Sequence, residues 1–154
     1  MASKLNSDAL SDNYMRIQFA SRSENESFAR VAVAAFVAQM DPTVEQLTEL
    51  KTAVSEAVTN AIIHGYEEGP GEVRIECRIR DGTVEVVVED DGVGIADIEQ
   101  ARQPMYTSRP ELERSGMGLT IMESFVDELI IDSAPGRGTR VIMRKTIAPK
   151  REGH

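Results

Sequence analysis

Between Leu47 and His64 the chain carries its clearest pattern. Leu47, Leu50, Val54, Ala57, Val58, Ala61 and Ile62 recur at three- and four-residue steps, the spacing of one apolar helix face. Upstream, Met15, Ile17 and Phe19 alternate with Arg16 and Gln18, which predicts a short strand. Ser23-Glu24-Asn25-Glu26 has the form of a capping box, with Ser23 as N-cap and Glu26 at the third helical position. The helix it opens is expected to bury Phe28, Val31, Ala32, Ala35 and Phe36 and to end near Met40. Asp41-Pro42-Thr43 restarts the chain, because proline suits a first helical turn. The second helix is expected to reach His64, with Gly65 as its C-terminal cap.

Period-two alternation follows. Val73, Ile75, Cys77 and Ile79 are answered by Val84, Val86 and Val88 across Asp81-Gly82, a dipeptide that favours the tight primed turn of a two-residue hairpin. The register then pairs Ile79 with Val84, Cys77 with Val86 and Ile75 with Val88 on one buried face. From Ala96 to Ser115 the chain is polar, mixed in charge and interrupted by Pro104 and Pro110; so long a structureless segment inside a compact domain reads as a functional lid. Leu119, Met122, Phe125 and Val126 return to helical spacing. Leu129 to Asp132 reads as a strand, Pro135-Gly136-Arg137-Gly138 as a turn, and Thr139 to Ile147 as the closing strand. The order predicts an α+β fold: a two-layer sandwich with helices on one face of a mixed, mostly antiparallel sheet. A single domain is expected over 14–147, after a polar, disordered segment at 1–13 and before a charged tail at 148–154.

Composition narrows the classes. A net charge of -9 argues against a nucleic-acid surface. Cys77 is the one cysteine, so no disulfide framework or thiolate cage forms within one chain, and its place in the alternation makes it a small core residue. No apolar run approaches the ~20 residues a membrane helix needs, and the N-terminus lacks the apolar core of a signal peptide. The expectation is a cytoplasmic protein without membrane contact.

Glu56, Asn60 and His64 fall at i, i+4 and i+8, so they line one stripe beside the apolar face. Such a stripe is either a solvated edge or the wall of a polar site. In the second reading the Asn60 oxygen ligates Mg²⁺, and Glu56 accepts a proton from an attacking hydroxyl. His64 fits a helix end, where it favours the dipole. Asp90-Asp91-Gly92-Val93-Gly94 leaves a strand end. It is either a plain turn or a nucleotide-base site, where a carboxylate accepts from an exocyclic amine and glycines let a flat ring approach. Ser115-Gly116-Met117-Gly118 precedes a helix, whose first N–H groups favour phosphate; no Gly-Lys-Ser/Thr follows, so it is not a Walker motif.

Taken in order, Glu56-x-x-x-Asn60 on a helix, Asp90-x-Gly92-x-Gly94 after a strand, a lid, Gly116-x-Gly118 before a helix and Gly138-Thr139 opening a strand form a series. This series resembles the Bergerat-type ATP-binding fold shared by gyrase, Hsp90, histidine kinases and MutL proteins (GHKL). Ser21 to Arg30, Ser55 to His64 and Glu111 to Gly118 look closer still to the anti-sigma F factors of spore-forming bacteria, the SpoIIAB family. The resemblance implies an anti-sigma factor with serine/threonine kinase activity. Such a protein sequesters a sporulation sigma factor (sigma F type) and phosphorylates a serine of its anti-anti-sigma antagonist with Mg-ATP. It implies Glu56 as general base and Asn60 as Mg²⁺ ligand, with Asp90 as adenine-binding carboxylate. Gly92, Gly94, Gly116 and Gly118 match the backbone positions around base and phosphates. Thr139 matches a hydroxyl near the adenine pocket, and Arg114 a lid arginine near the terminal phosphate. It also implies a homodimer, with the N-terminal strand and first helix at the seam, and no direct contact with nucleic acid.

Two other readings stand beside it. A general-stress anti-sigma B kinase has the same chemistry, and a nucleotide-gated sigma-binding module has none. A histidine-kinase ATP domain needs a phosphoacceptor helix with its own histidine. The only histidines are His64 and His154, and there is no room for that helix upstream of Met15.

Overall fold

The structure is a computed structural model and describes residues 12–65, 70–94 and 118–147. Five strands and three helices alternate along it. They are β1 (Asn13–Ala20), α1 (Glu24–Val37), α2 (Val44–Asn60), β2 (Glu72–Arg80), β3 (Thr83–Asp90), α3 (Gly118–Phe125), β4 (Glu128–Ser133) and β5 (Thr139–Thr146). The strands form one sheet in the order β1-β2-β3-β5-β4, and all four neighbour pairings are antiparallel.

The register explains where the core lies. Met15, Cys77, Val86, Met143 and Leu129 stand in one row across all five strands. Ile17, Ile75, Val88, Val141 and Ile131 form the next. Both rows face the helices and pack against Leu50, Ala53, Val54, Ala57 and Val58 of α2 and Met122 of α3. The opposite face is solvated and charged: Arg144 donates to Glu85 at 2.7 Å and to Glu128 at 2.6 Å along one row. The expected hairpin register holds at every pair, and Asp81 and Gly82 both take positive φ, as a type I′ turn requires.

Two expectations about α1 are corrected. Ser23 does not cap the helix: its own backbone is already helical (φ -56, ψ -33), which turns the hydroxyl away from the Glu26 N–H. The buried face of α1 is Ala29, Val33 and Val37, whereas Phe28 and Val31 are more than half exposed and Ala35 is exposed. Small residues face the core here because α1 lies close against α2.

The capping box forms one helix later. Thr43 Oγ1 accepts from the Gln46 N–H at 3.0 Å, and Gln46 Oε1 accepts from the Thr43 N–H at 3.0 Å. Just before it, Asp41 adopts a left-handed conformation that closes the short 3-10 turn Ala38–Met40. The far end of α2 also differs from expectation. The α-helix stops at Asn60, and Ala61–Gly65 continue as a π turn packed on β3. Among the described residues no helix is long and apolar enough to cross a membrane.

These two caps make a paired prediction. Thr43→Ala should cost about 1 kcal/mol of stability, because the Gln46 N–H at the start of α2 loses its side-chain acceptor. Ser23→Ala should cost less than about 0.5 kcal/mol, as expected for a surface change that removes no cap. Urea unfolding of both variants at one protein concentration checks this; equal costs would contradict the assignment of the caps.

Candidate functional site

The third inner row of the sheet breaks the apolar pattern. It begins with Phe19 and Val73 and continues with Asp90, Thr139 and Ser133. Asp90 is only 6% exposed. Its Oδ1 accepts from the Gly92 N–H at 2.8 Å, and the Thr139 N–H also donates to this carboxyl. Burial outweighs these bonds and pushes the Asp90 carboxyl up to about 6, with the neighbouring Asp91 charge adding to the rise. Asp91 itself turns to Arg74, which donates to both its oxygens at 3.0 and 3.1 Å and holds its carboxyl below the usual range.

Around Asp90 two loops lie backbone on backbone. Gly94 has φ +80, and a Cβ there would run into the Ala134 carbonyl oxygen. Gly138 has φ +79, and a Cβ there would run into the Asp90 carbonyl oxygen. The Gly136 N–H donates to the Val93 oxygen at 2.7 Å, so the loop after β3 and the β4–β5 turn are bonded as well as packed. Only glycine fits such an approach at positive φ. Ser133 Oγ donates to the Gly138 oxygen at 2.9 Å and lies 2.8 Å from Thr139 Oγ1. The result is a buried acceptor beside two hydroxyls, the donor–acceptor set that reads the edge of a planar base.

The second half of the site lies between α2 and α3. Glu56 and Asn60 sit one turn apart at the end of α2, where the helix gives way to the π turn. Such turns are frequent at functional sites. Gly118 begins the described part of α3 directly against them. A Cβ on Gly118 would stand 3.2 Å from Glu56 Oε1 and 3.2 and 3.3 Å from the Asn60 amide nitrogen and oxygen. The missing side chain lets the described beginning of α3 approach a carboxylate and a carboxamide this closely. Among the described residues no three His, Cys, Asp or Glu side chains are grouped to hold a metal by themselves. A divalent ion here would therefore take Asn60 together with water and ligand oxygens, which is the habit of Mg²⁺.

The structure thus brings Glu56, Asn60 and Gly118 together at one place and Asp90, Gly92, Gly94 and Thr139 at another. β3, which ends in Asp90, packs against both α2 and the π turn. Gly116, Arg114 and the lid from Ala96 to Ser115 lie outside the described residues. Sequence reasoning missed Ser133 and the close approach at Gly138. The Gly136-Arg137-Gly138 turn was a signal for the latter, while nothing in the sequence marks Ser133.

Burial of Asp90 has a consequence for stability. Between about 3.9, the carboxyl's value in an unfolded chain, and about 6 the folded protein keeps a proton that the unfolded chain has lost. The contribution of this group is therefore greatest below that window and is lost as pH rises through about 6. Asp90→Asn should gain on the parent protein by on the order of 2–3 kcal/mol between pH 4 and pH 7. Urea unfolding of the pair across this range tests it; a stability difference independent of pH would contradict an ionised, buried Asp90.

Comparison with known proteins follows the same outline. The family model of the histidine kinase-like ATPase domain matches residues 19–145. An anti-sigma F factor of Geobacillus kaustophilus (strain HTA426) is 64% identical over 137 residues, covering 88% of this chain and 94% of that protein. An anti-sigma F factor of Clostridium novyi (strain NT) is 58% identical over 139 residues, covering 90% of this chain and 97% of that protein. Among solved structures, the RsbU and RsbW domains of Rv1364c from Mycobacterium tuberculosis share the fold, with a TM-score of 0.65 at 20% identity over 90% of this chain and 34% of that one. With a family model matched from the first strand to the last and relatives this similar over nearly their full length, the chain belongs to the anti-sigma F factor family, built on a histidine kinase-like ATPase domain.

Proposed function

We propose that this chain is an anti-sigma factor and an ATP-dependent protein serine/threonine kinase. In one state it holds a sigma factor of the sigma F type. In the other it transfers the γ-phosphoryl group of Mg-ATP to a serine of an anti-anti-sigma protein. The observation that carries the reading is the apposition of Gly118 to Glu56 and Asn60, with the buried Asp90 at the end of the strand beneath them. The names of relatives 58–64% identical supply the sigma-factor half of the reading.

The surroundings of Asp90, Thr139, Gly118, Asn60 and Glu56 support a role for each, and Gly116 and Arg114 take theirs from the family resemblance. Asp90 accepts from the exocyclic amine of adenine, and Thr139 and the Gly92 and Gly94 backbone line the base. The N–H groups at the start of α3, with Gly116 and Gly118, take phosphate oxygens. Asn60 ligates Mg²⁺, whose charge neutralises the phosphates when bound. Glu56 accepts the proton of the attacking serine hydroxyl as its oxygen bonds to phosphorus and ADP departs. Arg114, which lies outside the described residues, takes the charge at the terminal phosphate on the family resemblance alone. The same reading makes the chain a homodimer through β1 and α1. The exposure of Phe28 and Val31 on the outer side of α1 supports that seam.

The test separates binding from chemistry. Glu56→Gln should bind Mg-ATP and the sigma factor as the parent does, while phosphate transfer to the antagonist serine falls by about 100-fold or more. Labelled ATP, the protein and a candidate antagonist domain, followed by mapping of phosphoserine, measure it. Undiminished transfer in the variant would remove Glu56 from the base role, and no transfer in the parent protein would leave a binding module without catalysis.

A further inference from the structure

Lys145 is the one buried cation among the described residues, 8% exposed. It lies on the inner face of β5 opposite Val84, six residues from Thr139 and so about 20 Å along the strand from the Asp90 row. Its ammonium donates to the Phe125 carbonyl oxygen at 2.8 Å and to Glu49 Oε1 at 3.0 Å. Phe125 closes α3, where unpaired carbonyls and the negative end of the helix dipole favour a cation. Glu49 belongs to α2. A single ammonium therefore joins β5, the end of α3 and the body of α2.

The two helices are matched in span. Glu49 and Glu56 are seven residues apart, which puts them on one face of α2 about 10 Å from each other. Gly118 and Phe125 are also seven residues apart. Gly118 meets Glu56 and Asn60 at one end, and Phe125 meets Glu49 through Lys145 at the other. α3 thus lies antiparallel on α2 and is tied to it at both ends. The surface between is apolar, with Leu119 and Met122 of α3 and Ala53 and Ala57 of α2 all buried. Apolar contact is non-directional and sets axial position poorly. A hydrogen bond of 2.8 Å does not survive the 1.5 Å slide that one residue of helix represents. Asp127 also fastens the turn after α3, donating its N–H to the Arg144 oxygen at 2.8 Å and accepting from the Thr146 N–H at 2.7 Å. Those bonds stop at β5, whereas that of Lys145 carries the attachment on to α2.

We propose that Lys145 is a positioning residue for the nucleotide's phosphates. Through the Phe125 carbonyl and Glu49 it sets the axial register of α3 on α2, and so the place of Gly118 against Glu56 and Asn60. The inference rests on the nucleotide reading above. It assigns Lys145 to the phosphate end of the site and leaves the adenine end, on the far row of the sheet, untouched.

Calorimetric titration of the full chain with Mg-ATP and, separately, with adenosine tests this. Lys145→Met keeps an unbranched side chain one atom shorter and removes the ammonium. It should weaken Mg-ATP binding by about 10- to 100-fold while adenosine affinity stays within about twofold. Lys145→Arg, which keeps the charge and the donors, should restore most of the ATP affinity. If Lys145→Met does not fold, Glu49→Gln provides the same comparison, with a smaller loss confined to ATP. Unchanged ATP affinity in the variant that folds, or equal losses for ATP and adenosine, would overturn the proposal. Failure of the parent protein to bind Mg-ATP would instead overturn the nucleotide reading, and that result needs none of the Lys145 variants.

Discussion

Because Gly118 carries no side chain, α3 begins against the carboxylate of Glu56 and the carboxamide of Asn60. That contact constrains much of the fold around it. α2 must present two polar residues a turn apart at its end, so its apolar stripe runs beside them rather than through them. α3 must lie antiparallel on α2, and the bond from Lys145 to the Phe125 oxygen holds its far end there. The sheet below supplies two full rows of apolar residues, which give both helices a floor.

At the rim of that floor the same register that builds the core places Asp90, Thr139 and Ser133 in a row where apolar residues would continue it. The cost is visible in the protonation of Asp90, held up to about 6 by burial although two backbone N–H groups donate to it. Much of the desolvation of this acceptor is therefore complete before a ligand binds. The close backbone contacts at Gly94 and Gly138 fix the loops around it, so Asp90 is framed by packed main chain as well as by the Ser133 and Thr139 hydroxyls.

Much of this was legible in the sequence, for physical reasons that differ between elements. The β2–β3 register was readable to the residue because alternation fixes which side chains share a face, and Asp81-Gly82 fixes the turn. The faces of α1 were not, because Phe28 and Val31 repeat at helical spacing just as Ala29, Val33 and Val37 do. Two apolar stripes competed, and close packing against α2 selected the one with small side chains. Ser23 and Glu26 fit the capping pattern as well as Thr43 and Gln46 do, and only the backbone conformation at Ser23 decides between them. The π turn after Asn60 left no mark in residue types. In the site, the Glu56–Asn60 spacing and the glycines flanking Asp90 were readable as a set. The tie between Lys145, Glu49 and Phe125 spans strands and helices 96 and 20 residues apart in sequence, which no local pattern records.

The central claim is that one nucleotide bridges the two halves of the site. A crystal structure of the protein with Mg²⁺ and a non-hydrolysable ATP analogue tests it most directly. The account predicts the adenine amine on the Asp90 carboxylate, the metal on the Asn60 oxygen and the phosphates at the start of α3 beside Gly118. A ligand bound away from Glu56 and Asn60, or one whose adenine lies elsewhere than Asp90, would contradict it.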